Sequence, residues 1–322
     1  MLQLSVLREQ TEQVIAGLNK KNYKNAAEEV AALLELDQRR RQVQSEHDEL
    51  QSRANSISKE IGMLMKNGER EKAEAYKAET SELKQKTKSL AEQQSALEEE
   101  IQQALYKLPN LPHDSVPVGK TAEDNEVVLQ HGEIPQLHEG ALPHWELIQK
   151  YDIIDFELGN KITGAGFPVY KKQGARLQRA LINFFLDEAI EAGYMEVQPP
   201  IMVNEASGYG TGQLPDKDGQ MYHATADNLY LIPTAEVPIT NIYRDVIVPT
   251  EELPIKNTGH TPCFRREAGS WGADVRGLNR LHQFDKVEIV QITLPEKSYE
   301  ALEEMSSYIQ GLLQKLELPY RV

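Results

Sequence analysis

Residues 261–288 read TPCFRREAGSWGADVRGLNRLHQFDKVE, two charged clusters separated by a glycine-containing connection. Arg265, Arg266 and Glu267 stand on one side of it, and Arg280, Phe284, Lys286 and Glu288 on the other. Side chains alternate between the faces of a strand, which puts Arg265 and Glu267 on one face. On the returning strand Arg280, His282, Phe284, Lys286 and Glu288 share a face. The intervening Leu281, Gln283, Asp285, Val287 and Ile289 are mostly of the packing kind. The spacing predicts two antiparallel strands, joined by AGSWGADVRGLN (268–279), with a charged inner surface and one aromatic ring. Arginine donates paired hydrogen bonds to phosphate and stays charged. An aromatic ring stacks on a purine, and a buried carboxylate suits an ammonium group. That set fits a nucleotide together with an amino acid. A solvent-facing hairpin with cross-strand Arg–Glu pairs accounts for the spacing equally well. The chain carries neither a Gly-x-x-x-x-Gly-Lys-Ser/Thr loop nor a dinucleotide glycine fingerprint, so a nucleotide would be held by another design.

Outward from this hairpin the composition is that of an α+β domain. Strand-like runs (VVLQ, FPVY, LYLIP, KVEIVQITL) alternate with helical and Gly/Pro-rich pieces. GARLQRALINFFLDEAIEAG (174–193) reads as one helix flanked by glycines, with an apolar stripe of Leu177, Leu181, Phe184, Phe185 and Ile190. YMEVQPPIMV follows it as an extended strand broken at Pro199 and Pro200. Upstream, PNLPHDSVPVG (109–119) is a linker or a wrapped strand.

Residues 1–108 are of another kind. They contain no proline and only three glycines, and are rich in Ala, Glu, Lys, Gln and Leu, all good helix formers. Leu33, Leu36, Arg40, Val43, His47, Leu50, Ala54, Ile57, Ile61 and Leu64 recur at alternating steps of three and four, a heptad seam. KNGER (66–70) carries a helix-stop signal. A second seam follows through Ala73, Tyr76, Thr80, Leu83, Thr87, Leu90, Gln94, Leu97, Ile101, Ala104 and Leu108. Two long helices joined by a tight turn pack antiparallel, which predicts a coiled-coil arm over about 25–108, with Arg40, His47, Thr87 and Gln94 fixing its register. Between residues 50 and 90 nine basic side chains face six acidic ones, a local +3. A solvated coiled-coil surface and a basic tip that tracks an RNA backbone both fit that balance.

The whole chain of 322 residues carries a formal net charge of −15, which argues against loose, sequence-independent nucleic-acid binding. A single cysteine, Cys263, excludes an internal disulfide and a cysteine-based zinc cluster. The eight histidines show no paired metal-ligand spacing. No signal peptide and no apolar run of membrane-spanning length is evident, so the expected compartment is the cytoplasm and no membrane partner is expected.

FRREAG (264–269) followed by RGLNRLHQFDKVE (276–288) resembles motif 2 of the class II aminoacyl-tRNA synthetases. GYGTGQLP (208–215), LYLIPTAEVPI (229–239), HTPCFRREAGSWGADVRGL (260–278) and the helical arm are similar to the seryl-tRNA synthetase family of bacterial type, and the resemblance runs over essentially the whole chain. It implies a tRNA-binding arm (1–108), a linker (109–119) and a class II catalytic domain (120–322). It implies ATP-dependent attachment of serine to serine tRNA through seryl-adenylate, with selenocysteine tRNA as a further acceptor. Thr234, Ala235, Glu236, Arg265 and Glu288 would hold serine. Arg265, Arg266, Glu267, Arg280, Leu281 and Phe284 would hold ATP, with Arg265 the catalytic residue on the α-phosphate, Phe284 stacked on adenine and the Leu281 backbone reading its edge. Arg266 stands where many relatives carry a small residue and is read as facing the other side of the strand. Helix 174–193 and the strand to Pro199 resemble the dimer-forming motif 1, and the arm would grip the long variable arm of serine tRNA across the dimer. The family's motif 3 and its magnesium-binding glutamate lie in a segment beyond residue 322. On that ground the chain is expected to be an incomplete copy with no metal ligands of its own. Two rival readings remain at this point: a tRNA-binding, dimerising fragment without chemistry, and a carrier-protein ligase on the same catalytic domain. The heptad seams speak against the second, since such relatives lack the arm.

Overall fold

The computed structural model describes residues 2–267 and 276–322. The chain divides into two compact units, Met1–Glu126 and Val127–Val322. The first is helical: α1 (Leu4–Glu9), α2 (Thr11–Lys20), α3 (Ala26–Lys66) and α4 (Arg70–Leu105). At 1.5 Å per residue α3 is about 60 Å long. It stops at Asn67–Gly68, where Gly68 takes a φ of +82°, a conformation natural to glycine. The chain then reverses into α4. Every position of both predicted seams is buried or half-buried.

The packing is uneven along this hairpin. At its base Val30 and Leu33 of α3 meet Ile101 and Leu105 of α4, with Leu7, Val14 and Leu18 of the first two helices closing the cluster. Farther out the buried apolar cluster shrinks to Ala54, Ile57 and Leu83. Thr80 and Thr87 are buried between them. Their hydroxyls donate to the Tyr76 carbonyl at 2.8 Å and the Lys84 carbonyl at 3.1 Å, so each is satisfied within its own helix. One buried charge escaped the seam pattern. Asp37 is 1% exposed and lies between Arg8, at 3.3 Å, and Arg40, at 2.9 Å. Residues 109–119 wrap back onto α2. Lys20 donates to the carbonyls of His113 and Asp114, and Asn22 donates to the Gly119 carbonyl at 2.9 Å.

The second unit contains, in order, β1 (Gln130–His131), α5 (His144–Lys150), β2 (Ile154–Asp155), α6 (Phe156–Ile162), β3 (Val169–Tyr170), α7 (Lys172–Glu191), β4 (Met195–Glu196), β5 (Met202–Val203), α8 (Glu205–Gly210), β6 (His223–Ala224), β7 (Leu229–Leu231), α9 (Glu236–Asn241), β8 (Ile255–Phe264), β9 (Gln283–Ile292), α10 (Ser298–Lys315) and β10 (Tyr320–Arg321). One sheet has the order β4-β8-β9, with β4 parallel to β8 and β9 antiparallel to it. A second, antiparallel sheet has the order β5-β7-β6. The architecture is α+β, with a mixed sheet flanked by helices.

The short strands depart from the sequence reading in detail. Of VVLQ only Gln130 enters a strand, because its partner is the two-residue β10, although Val128 and Leu129 still donate to the Val322 carbonyl. The run YMEVQPPIMV becomes two strands in different sheets, β4 before the prolines and β5 after them. Proline supplies no N–H to a ladder, so the pair ends one sheet edge and starts another.

Candidate active site

Strands β8 and β9 pair over ten residues, from Ile255 opposite Ile292 to Phe264 opposite Gln283. Directly opposed residues share a face. The register therefore sets Gly259, Thr261 and Cys263 beside Glu288, Lys286 and Phe284. Helix α9 covers one end of that face: Ala235 and Ile239 pack against Val290. Gly259 allows this approach, because a Cβ there would lie 2.6 Å from the Val197 carbonyl oxygen and 3.0 Å from Ile239 Cδ1. Beyond α9 the face is left to the charged residues.

Thr234 reaches the face because β7 runs on toward β8. The Phe264 amide donates to the Ile232 carbonyl at 2.8 Å, which anchors the Thr234–Glu236 turn against β9. There the Thr234 hydroxyl donates to Glu288 Oε2 at 2.6 Å. Lys286 Nζ forms an ion pair with the same Glu288 oxygen at 2.7 Å and donates to Thr234 Oγ1 at 3.2 Å. The Glu236 amide also donates to Thr234 Oγ1, at 3.2 Å. Ala235 is fully buried under the turn. Glu236 keeps an exposed surface, yet its carboxyl is held above the ordinary glutamate range, first by its surroundings and then by the neighbouring Glu288 carboxylate, with Lys286 pulling the other way. Cys263 is completely buried, and burial pushes its thiol up, which leaves it unreactive.

The arginines sort into three places. The Arg265 guanidinium lies over the Phe284 ring, 5.0 Å from its centroid. Arg280 Nη1 pairs with Glu267 Oε2 at 2.7 Å. Arg266 turns away from both, its amide donating to the Gln220 carbonyl and its guanidinium lying near Gly219. Strict alternation thus does not extend to Glu267. The ladder takes one more step, from the Arg265 amide to the His282 carbonyl, before Arg266 bonds elsewhere, and Glu267 has a left-handed φ of +49°. Leu281 is buried. Residues 268–275 of the predicted connection lie outside the described residues.

Spacing placed His282 and Lys286 on this face and missed their partners from other elements. His282 accepts or donates at Nδ1 to the Tyr222 hydroxyl, 2.6 Å away, and stacks on Phe167 with ring centroids 5.2 Å apart. Lys286 stood in the quoted stretch without a role, because a face assignment does not say which side chains from another element meet it. Among the described residues no three His, Cys, Asp or Glu side chains converge as a metal site would require.

Residues 1–112 match the family described as the seryl-tRNA synthetase N-terminal domain. Residues 221–322 match the tRNA synthetase class II core domain (G, H, P, S and T). The chain is 47% identical over 321 residues to the serine–tRNA ligase of Salinibacter ruber, covering all of this chain and 75% of that one. It is 44% identical to the serine–tRNA ligase of Gloeothece citriformis, again with 75% of the relative covered. Among solved structures it superposes on seryl-tRNA synthetase from Pyrococcus horikoshii complexed with ATP, with a TM-score of 0.89, 32% identity and coverage of 100% of this chain and 76% of that one. The cytoplasmic serine–tRNA ligase of Naegleria fowleri in complex with AMP superposes with a TM-score of 0.82 at 25% identity, covering 100% of this chain and 77% of that one. Arm, sheet and motif residues together place the chain in a single family: it belongs to the class II seryl-tRNA synthetases, the ATP-dependent serine–tRNA ligases.

Proposed function

We propose that the β8–β9 face is where serine and ATP meet, with serine at Thr234, Ala235, Glu236 and Glu288 and the nucleotide at Arg265, Glu267, Arg280, Phe284 and the Leu281 backbone. The observation that carries this reading is the convergence of Thr234 and Glu288, 54 residues apart in sequence, on one 2.6 Å hydrogen bond beside Lys286, with Arg265 on the same sheet face. A carboxylate acceptor next to a hydroxyl suits an amino acid that brings both an ammonium and a hydroxyl. An arginine farther along the face suits a phosphate. Arg266, directed at Gln220 and Gly219, is assigned a supporting place at the edge of the nucleotide site.

In the activation step the serine carboxylate attacks the α-phosphate and pyrophosphate leaves. The carboxylate is already ionised, so no general base is needed. The protein positions the two reactants and stabilises growing phosphate charge. Arg265 supplies the stabilising positive charge from this chain. The magnesium implied by the family finds no converging ligand set among the described residues.

We assign residues 1–108 to the tRNA-gripping arm, 109–119 to a linker and 120–322 to the catalytic domain, acting in the cytoplasm as a homodimer. The dimer assignment rests on α7, where Leu177 and Ile190 remain 57% and 47% exposed on an apolar stripe whose other members, Leu181, Phe184 and Phe185, are half-buried. The test is serine-dependent ATP–pyrophosphate exchange with wild type and Arg265→Ala. The substitution is expected to slow exchange by at least about a hundredfold, the scale of losing one preorganised donor. Exchange at the wild-type rate in Arg265→Ala would remove Arg265 from the reaction. A wild-type chain that binds serine tRNA and exchanges nothing would favour the fragment reading.

A further inference from the structure

Among the described residues Lys286 is a charged residue of the β8–β9 face to which the serine and ATP assignments give no part, and its contacts define one. The Thr234 hydroxyl can donate one hydrogen bond and accept two. Lys286 Nζ and the Glu236 amide occupy both acceptor positions, at 3.2 Å each, so the hydroxyl proton is directed to Glu288 Oε2. That same oxygen forms the ion pair with Lys286 Nζ, at 2.7 Å. Thr234, Lys286 and Glu288 thus close a three-membered ring in which the Thr234 hydroxyl proton and the Lys286 ammonium converge on one carboxylate oxygen. Both donors fall on Oε2, and among the described residues Oε1 of Glu288 takes no hydrogen bond. The ring turns one carboxylate oxygen into an anchor and presents the other as an acceptor.

We propose that Lys286 is a positioning residue for serine selection: by tying Thr234 to Glu288 it orients Glu288 to accept a donor from the amino acid. This rests on serine lying at Thr234 and Glu288. Charge supports the same role. Glu236 and Glu288 are two carboxylates on one small surface. Lys286 pairs with Glu288 and Arg265 is assigned to the phosphate, which leaves the Glu236 charge for one substrate ammonium. The other charged groups nearby are Arg265, one residue past β8 and over the Phe284 ring, and Glu236 from α9. Neither replaces Lys286 on Oε2.

The experiment is calorimetric titration of L-serine and, separately, ATP into the full chain as wild type, Lys286→Met and Lys286→Arg, with L-alanine as a competitor against serine. Lys286→Met keeps the length of the stem and removes the charge. It is expected to weaken serine binding by about tenfold to a hundredfold, the range for losing hydrogen bonds to a charged group. ATP affinity should stay at the wild-type value, the preference for serine over alanine should narrow, and Lys286→Arg should recover most of the loss. Unchanged serine affinity in Lys286→Met would overturn the proposal. So would an equal loss of serine and ATP binding, which is what a general structural defect produces. A wild-type chain that binds ATP and no serine would overturn the placement of serine itself, and the role of Lys286 with it.

Discussion

The helical arm and the β8–β9 face are both long antiparallel pairings, one of helices and one of strands, and they solve the problem of polar residues in opposite ways. In the arm, polar side chains inside the seam are satisfied locally. Thr80 and Thr87 bond to carbonyls of their own helix. Arg40, His47 and Gln94, expected to fix register, likewise bond to neighbours in their own helices. On the strand face polar groups are satisfied across elements: Thr234 from the turn before α9 meets Glu288, and Arg280 meets Glu267 across the hairpin. The first arrangement is a support, in which one change is felt nearby. The second is a network, in which one change alters the destination of several hydrogen bonds.

The contrast is broken most completely by excising the outer arm. Removing residues 46–88 and joining the helices with a short flexible turn keeps the basal contacts of Leu33 with Ile101 and Leu105. Charging of serine tRNA should be abolished while serine-dependent pyrophosphate exchange continues. Loss of both activities would make the arm a structural element of the catalytic unit instead of a tRNA grip. A cut at 30–105 would be a poorer test, since it removes Val30, Leu33 and Ile101 from the basal cluster.

A smaller effect sharpens the comparison within the arm. Leu33→Ala in the nine-residue basal cluster should cost toward the upper end of the about 2–5 kcal/mol typical of such truncations, and Leu83→Ala in the three-residue outer cluster toward the lower end. Amide hydrogen exchange read along α3 and α4 distinguishes the two. Equal costs would mean that the outer helices are held by more than their apolar contacts.

The smallest effect concerns the network. The Glu236 carboxyl titrates above its ordinary 4.5, so the folded chain holds this proton over a pH window in which the unfolded chain has released it. Stability contributed at this position therefore falls as pH rises from about 4.5 through the raised value. Glu236→Gln should flatten that slope and leave the melting temperature at neutral pH equal to or slightly above that of wild type, while weakening serine binding. A thermal melt series from pH 4 to pH 8, with about half-unit steps, checks the sign. A steeper slope in the variant would contradict it.

How far each region could be read from sequence follows from the same contrast. The heptad seams are local, a period repeated within one helix, and the residues they pick out are the ones that pack. Asp37 was invisible to that period because its burial depends on Arg8, 29 residues upstream, and on Arg40. The strand hairpin was legible as a charged face, since alternation is also local. Its partners were not, because the Thr234–Glu288 contact spans 54 residues and is set by β7 running on to β8. Only the resemblance to a family joined those two stretches in advance. The two-residue strands were beyond periodicity altogether, being fixed by backbone hydrogen bonds in a span too short to show a period.

The graded packing of the arm also makes it a mechanical object. A rod held firmly at one end bends most at the other, and here the holding end carries nine buried apolar residues while the outer cluster carries three. Near the turn the seam continues through the smaller Ala73 and the half-buried Ile61, Leu64 and Tyr76, while Met63 and Met65 off the seam are 58% and 47% exposed. Bending of such a rod would carry its outer end, where the local charge is +3, through a volume while the root stays fixed within its own unit. A partner captured at the tip is found by a search over that volume, and the stiffness of the root sets how wide the search runs.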